Sequence, residues 1–241
     1  MIWFIIATLV AFFIKGLCGF ANTLIFNGIL SYTANNINIS PLEVVLGYPS
    51  NIILVWKERK SLNWKIWLPL TALVVAGSIP GIFLLKHTDA GLLKVIFGIA
   101  VIVIGVEMKS NRESSNRKPG GSKLVLVLIG IISGLLCGLY GVGALLAAYV
   151  SRVAENSHEF KANICVVFVV ENTIRIILYV ATGILTLSVL KQVVILIPFM
   201  LAAVFLGMKS SSVLNEKIIK KIVIILLILS GIVLIINNIP G

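Results

Sequence analysis

Apolar residues fall in long runs along this chain, each about the length of a membrane crossing, with short polar or basic turns between them. The first run extends from Ile2 to about Tyr32, is interrupted by Lys15, Gly16 and Gly19, and ends in the polar stretch Thr33 to Asn38. Ser40, Pro41, Leu42 and Glu43 then read as a helix start, with serine as cap, proline at the first helical position and an acid at the third. The apolar part of that helix is only Val44 to Trp56, roughly 20 Å at 1.5 Å per residue against a hydrocarbon core of about 30 Å, and Pro49 sits inside it. Ordinary spans are predicted over Ile66 to Leu85 and Leu92 to Met108.

The pattern then starts again. Lys109 to Lys123, KSNRESSNRKPGGSK, is polar, basic and rich in Ser, Pro and Gly, as a linker is. Beyond it the plan repeats as Leu124 to Val150, Ala162 to Ala181, Val189 to Met208 and Ile218 to Ile236. Leu17, Cys18 and Gly19 read LCG, as do Leu136, Cys137 and Gly138, and in the same order Asn51 meets Asn172, Gly81 meets Gly207 and Gly105 meets Gly231. The predicted fold is an all-α polytopic membrane protein of two weakly similar four-segment repeats, residues 1–108 and 124–241, joined by a basic cytoplasmic linker over 109–123. In each repeat the glycine-rich first segment is broken or re-entrant. The second, Gly130 to Gly143, carries five glycines, each weakening a helix by roughly 1 kcal/mol relative to alanine.

Charge decides between two arrangements of the repeats. If every apolar run crosses once, Lys and Arg divide ten to eight between the two sides, hardly a bias. If the two glycine-bearing regions each return to the side they entered from, loops 57–65, 109–123, 152–161 and 209–221 share the cytoplasmic side. They hold 15 of the 20 Lys and Arg, and Lys86, Lys94 and Lys191 lie outside. That makes the repeats inverted, with their glycine-rich tips meeting near the midplane. The alternative is one long, kinked crossing in each position.

A chain of 241 residues that is 59% hydrophobic and 12% charged cannot hide its apolar surface in one soluble core. It reads as a multi-pass protein of a bacterial or archaeal plasma membrane, bathed in lipid and compatible with a homo-oligomer. Its net charge of +11 resides in clusters between spans, where it sets topology, so nucleic acid is not expected as a partner. The first segment lacks a basic start and a small-residue cleavage site and is expected to be retained. Cys18, Cys137 and Cys165 lie in apolar runs and read as small buried residues. His87 and His158 fall in loops, and no HExxH or GxxxxGK[ST] pattern occurs, so neither a metal, a cofactor nor an enzymatic activity is expected.

Charges within the spans are the informative residues. Glu171 and Arg175 are four apart in CVVFVVENTIRIILYV and share a helix face, either as a neutralised structural pair or as a coupling pair in which Glu171 carries a proton. Lys15 lies at the tip of the first hairpin with no acid near it in sequence; it either snorkels, pairs with Glu171, or leaves a positive charge in the site. With backbone donors freed at the two tips it forms a candidate anion site of Lys15, Gly19, Asn22, Asn51, Gly138, Gly141, Gly143 and Asn172, while Ser50 and Thr173 add hydrogen-bonding groups. Close helix packing is the competing reading of the glycines, and helix-to-helix bonding that of the asparagines.

KGLCGFANTL and SGLLCGLYGVGALL, ISPLEVVLGYPSNI followed by a basic turn and LNWKIWLPL, and GSIPGIFLLK with LLKVIFGIAVIVIG together resemble the sulfite exporter TauE/SafE family, also called the four-toluene sulfonate uptake permease family. The likeness covers nearly the whole chain and departs from the usual opening at Ala21 and Asn22, where small glycine-rich residues are expected. The resemblance implies a permease for sulfite, a sulfonate or a related small organic anion, coupled to a proton or ion gradient without a nucleotide. A non-transporting scaffold, assembly factor or sensor would show the same spans.

Overall fold

The computed structural model describes residues 1–30, 36–84, 123–140 and 143–236, with residues 99, 102 and 106 singly. Apart from those three residues, the expected span over Leu92 to Met108 lies outside the described residues, as do the linker up to Ser122 and Gly141. Among the described residues the chain forms helices and turns only.

Apolar runs become helices, and glycine ends the first. Helix α1, Ile2–Cys18, stops at Gly19, whose φ of 87° is left-handed and whose N–H donates to the Lys15 carbonyl at 2.6 Å. After the break, α2 runs over Asn22–Leu30, nine residues and so about 13 Å. The second glycine-rich region breaks in the same manner, into α5, Lys123–Tyr140, and α6, Ala144–Val153. In both, one long helix of 17 or 18 residues is followed by a short one of nine or ten.

Helix α3, Asn36–Glu58, corrects the expected start at Ser40. It begins four residues earlier, takes Pro41 and Pro49 into its interior, and at 23 residues reaches about 35 Å, enough to cross a bilayer. Its early polar residues do not mark a helix end, because Ser40 and Glu43 are buried against other helices. A 3-10 turn, Arg59–Ser61, leads to α4, Trp64–Leu84. The later helices are α7, Ser157–Ala181, α8, Leu187–Val213, and α9, Glu216–Ile236, with Asn156 and Thr186 capping α7 and α8 through their side-chain oxygens. Among the described residues, three helical stretches are long and apolar enough to cross a membrane: Ile39–Ser61, Ser157–Ala181 and Leu187–Val213.

In lipid, burial of apolar surface gives little drive for helix association, so close van der Waals packing must supply it. Glycines provide that closeness at two crossings. Where α1 meets α8, a Cβ on Gly16 would strike the Val204 carbonyl oxygen, and one on Gly207 the Phe13 carbonyl oxygen. Where α4 meets α5, Gly77 lies on Ile131 and Gly134 on Val74 with equal closeness. The contacts Leu73 with Gly130, Gly77 with Gly134 and Gly81 with Leu135 advance together along both helices, so α4 and α5 run in the same direction.

Polar contacts gather the turn after α3, the start of α7 and the end of α8 at one end of the bundle. His158 Nδ1 meets Glu58 Oε2 at 2.8 Å, Asn63 N–H donates to Asn163 Oδ1 at 3.0 Å, and Asn63 Nδ2 donates to Glu159 Oε1 at 2.9 Å. Lys57 Nζ reaches the Met208 carbonyl at 3.4 Å, and Lys161 donates to Ser211. Exposed Trp56 and Trp64 flank this basic end, where a membrane interface favours aromatic rings. Away from it the outer faces stay apolar, as at Ile177 and Val180 on α7 and Val194 and Phe205 on α8.

Candidate functional site

Two facing helices build most of the site. Glu43, Gly47 and Asn51 are four residues apart on α3 and line up along one face, while Phe168, Glu171, Asn172 and Arg175 do so on α7, which packs against it. Side chains of three helices gather at Gly47. A Cβ there would lie 3.3 Å from Glu43 Oε1, 3.5 Å from Asn172 Nδ2 and 3.6 Å from Asn22 Nδ2.

The break between α1 and α2 supplies a third wall. Ala21 has φ 71°, the one positive value on a non-glycine residue among those described, and costs on the order of 1–2 kcal/mol. Backbone strain of this kind concentrates at ligand sites. Here it turns the chain so that Asn22 and Thr23, the first residues of α2, reach Glu43. Asn22 Nδ2 donates to Glu43 Oε1, and Thr23 Oγ1 donates to the same oxygen at 2.8 Å. Lys15 Nζ donates to Asn22 Oδ1 at 2.8 Å and lies 5.6 Å from the Phe168 ring centroid. Lys15, Asn22 and Glu43 therefore form one hydrogen-bonded chain across the break.

Gly143, at the second break, closes the site. A Cβ on it would overlap the Phe168 ring, so only glycine lets that ring rest on the backbone there. Phe168 thus lies between Gly143 and the Lys15 ammonium. A cavity of ≈ 20 Å³, room for about one water, is lined by Lys15, Asn22, Glu43, Asn51, Glu171 and Asn172 among others. A larger oxyanion requires its walls to part.

Four charged side chains, Lys15, Glu43, Glu171 and Arg175, are each 2% exposed or less, and their formal charges balance. Arg175 Nε is 3.6 Å from Glu171 Oε1, and its Nη2 donates to Ser40 Oγ at 2.9 Å and Tyr179 Oη at 3.0 Å. Asn51 is fully buried with neither amide atom hydrogen-bonded, and Glu171 Oε1 has no hydrogen-bond donor. Leaving a buried polar atom unsatisfied costs about 1–3 kcal/mol, a cost borne here by the Asn51 amide and by the Glu171 oxygen that faces Arg175.

Of the residues singled out by sequence, Lys15, Asn22, Asn51, Gly143, Glu171 and Asn172 come together on this cavity. Arg175 stands one turn beyond Glu171. Gly19 lies outside the lining, its backbone against Lys161 and its carbonyl accepting from Cys165 Sγ at 3.4 Å. Gly138 packs on the Ser78 backbone of α4. Lys15 finds its direct partner in Asn22 instead of Glu171. Sequence reasoning missed Glu43, Gly47 and Phe168; Glu43 reads as part of a helix start, although its spacing to Gly47 and Asn51 already puts the three on one face.

Apolar helices that hold paired charges around a shared internal cavity define an integral membrane protein with a polar interior. The chain belongs to the sulfite exporter TauE/SafE family, whose profile matches residues 4–234. It is also 28% identical over 98 residues to a probable membrane transporter protein of Methanocaldococcus jannaschii, a match covering 39% of this chain and 37% of that relative's length. No solved structure matches it.

Proposed function

We propose that this protein is a multi-pass permease of the cell membrane that moves a small anion, sulfite, a sulfonate or a related organosulfur compound, by alternating access. The observation that carries the reading is the cavity itself. Its walls come from both halves of the chain, and its lining holds a buried ammonium, Lys15, and one amide, Asn51, that has no hydrogen-bond partner. Membership of a sulfite exporter family supports the choice of anion.

Helix directions support inverted repeats. The turn after α3 and the start of α7 are hydrogen-bonded to each other, yet a plan in which every apolar run crosses once puts them on opposite sides of the membrane. α4 starts at that same end, and α5 runs with it. α8 finishes there, and α1 runs with α8: Gly16 lies on Gly207, and Gly19 lies on Lys161, whose ammonium reaches Ser211 one turn further on. The first helices of the two halves therefore enter from opposite sides, and rocking one half against the other would expose the cavity to each side in turn.

The charge balance supports coupling to protons. With two buried cations set against two buried carboxylates, an added anion leaves the cluster one charge in excess unless a proton enters with it. Glu171, which lines the cavity, is the residue we assign to carry that proton, with Arg175, 3.6 Å from its Oε1, setting how readily it does so. Flux of sulfite, a sulfonate, a carboxylate, a cation and a neutral solute into proteoliposomes tests the reading. Anion flux that falls in Lys15→Met is expected. A cation or neutral profile indifferent to that substitution would overturn it, and no flux of any solute would favour a scaffold, assembly factor or sensor.

A further inference from the structure

We propose that Glu43 is a resident anion: its carboxylate occupies the donors that the transported anion uses, and the anion binds by displacing it. This rests on the anion-permease reading. Glu43 is 2% exposed and takes two hydrogen bonds on one oxygen, from the Asn22 amide and the Thr23 hydroxyl. Both donors open α2, whose first backbone N–H groups add a partial positive charge. A side-chain carboxylate already sits where a two-oxygen anion would be best held.

Three further observations point the same way. Asn22 connects this carboxylate to Lys15, so in the empty site the ammonium is compensated through the amide. Asn51, which also lines the cavity, has an amide without a hydrogen-bond partner, so a donor beyond those that Glu43 occupies stands close by. Glu43 Oε1 now lies against Gly47, one turn along α3, and Ser40, almost one turn in the other direction, already accepts from Arg175. A displaced carboxylate can thus rotate along α3 towards a guanidinium without leaving the helix face. Glu43 and the incoming anion carry like charge and claim the same donors, so they compete. Competition keeps the empty site neutral, selects anions with at least two acceptor oxygens, and weakens binding enough for release.

The proposal gives an uncommon sign: removing the carboxylate tightens binding. Calorimetric titration of the full-length protein in nanodiscs, with sodium sulfite and sodium methanesulfonate as probes, should show Glu43→Gln binding about tenfold tighter or more, equivalent to ~1.4 kcal/mol, with slower turnover in proteoliposomes. Glu43→Asp keeps the charge but withdraws it from Asn22 and Thr23, and should tighten binding by a smaller factor; it serves if Glu43→Gln does not fold. Weaker or unchanged binding in whichever of these variants folds would overturn the role and leave Glu43 as a structural acceptor. Lys15→Met separates the two levels of the argument. If wild type binds and Lys15→Met weakens it while the Glu43 variants do not tighten, only the resident-anion role falls. If wild type binds neither probe, the anion-permease reading falls and takes this role with it.

Discussion

Replacing Lys15 with methionine keeps the length of the side chain and removes its charge, so its effect isolates what the ammonium contributes. Lys15 has three N–H donors, of which one is committed to Asn22, leaving two for an anion in the cavity beside it. A hydrogen bond to a charged group is worth about 1.5–3 kcal/mol, which converts to a rise in Kd of about tenfold to about a hundredfold. The lost charge also leaves Glu43 and Glu171 opposed by Arg175 alone, which adds repulsion and favours the upper end of that range. Stability should fall as well, by about 1–3 kcal/mol, since the buried Asn22 oxygen loses its donor. The two effects separate experimentally: sulfite binding to nanodisc protein gives Kd, and thermal unfolding of the same sample gives the fold. Lys15→Arg, which retains charge, should recover much of the affinity. A Kd for Lys15→Met within twofold of wild type, in protein that remains folded, would refute the placement of the anion beside Lys15.

Further outcomes follow from the same geometry. Cysteine placed at exposed Lys60 and at exposed Glu155 should label from the cytoplasmic side alone, against a low background because Cys18, Cys137 and Cys165 are buried; labelling of the two from opposite faces would end the inverted-repeat reading. Glu171→Gln should still bind the anion but lose the stimulation of transport by an imposed pH gradient, and unchanged stimulation would return the Glu171 and Arg175 pair to a structural role. Gly207→Ala should destabilise the protein by about 1–3 kcal/mol, read as a lower Tm in detergent, because its Cβ meets the Phe13 carbonyl oxygen and the Gly16 Cα rather than a side chain that can move aside. An exposed site such as Val213→Ala is the control, with little change expected.

Much of this protein could be read from its sequence, because the controlling signals are local. The lengths of apolar runs mark α4, α7, α8 and α9 to within a few residues at most ends, and Gly19 and Gly143 mark where the two glycine-rich segments break. Lys15, Glu171 and Arg175 stood out because charge within a span needs a reason, and Asn51 and Asn172 because they fall at matching places in the two halves. Tertiary structure alone decided the rest. A serine, proline and acid in succession suit a helix start, yet Ser40 and Glu43 lie inside α3, where packing supplies them with Arg175, Asn22 and Thr23. Glycine looks the same in sequence whether it breaks a helix, as Gly19 does, or lets two backbones touch, as Gly16 and Gly207 do. Hydropathy, capping and spacing are properties of one segment, whereas the partner of a buried polar atom is set by which helices cross and at what depth. The chain of bonds from Lys15 through Asn22 to Glu43 exists only once three separate helices have met.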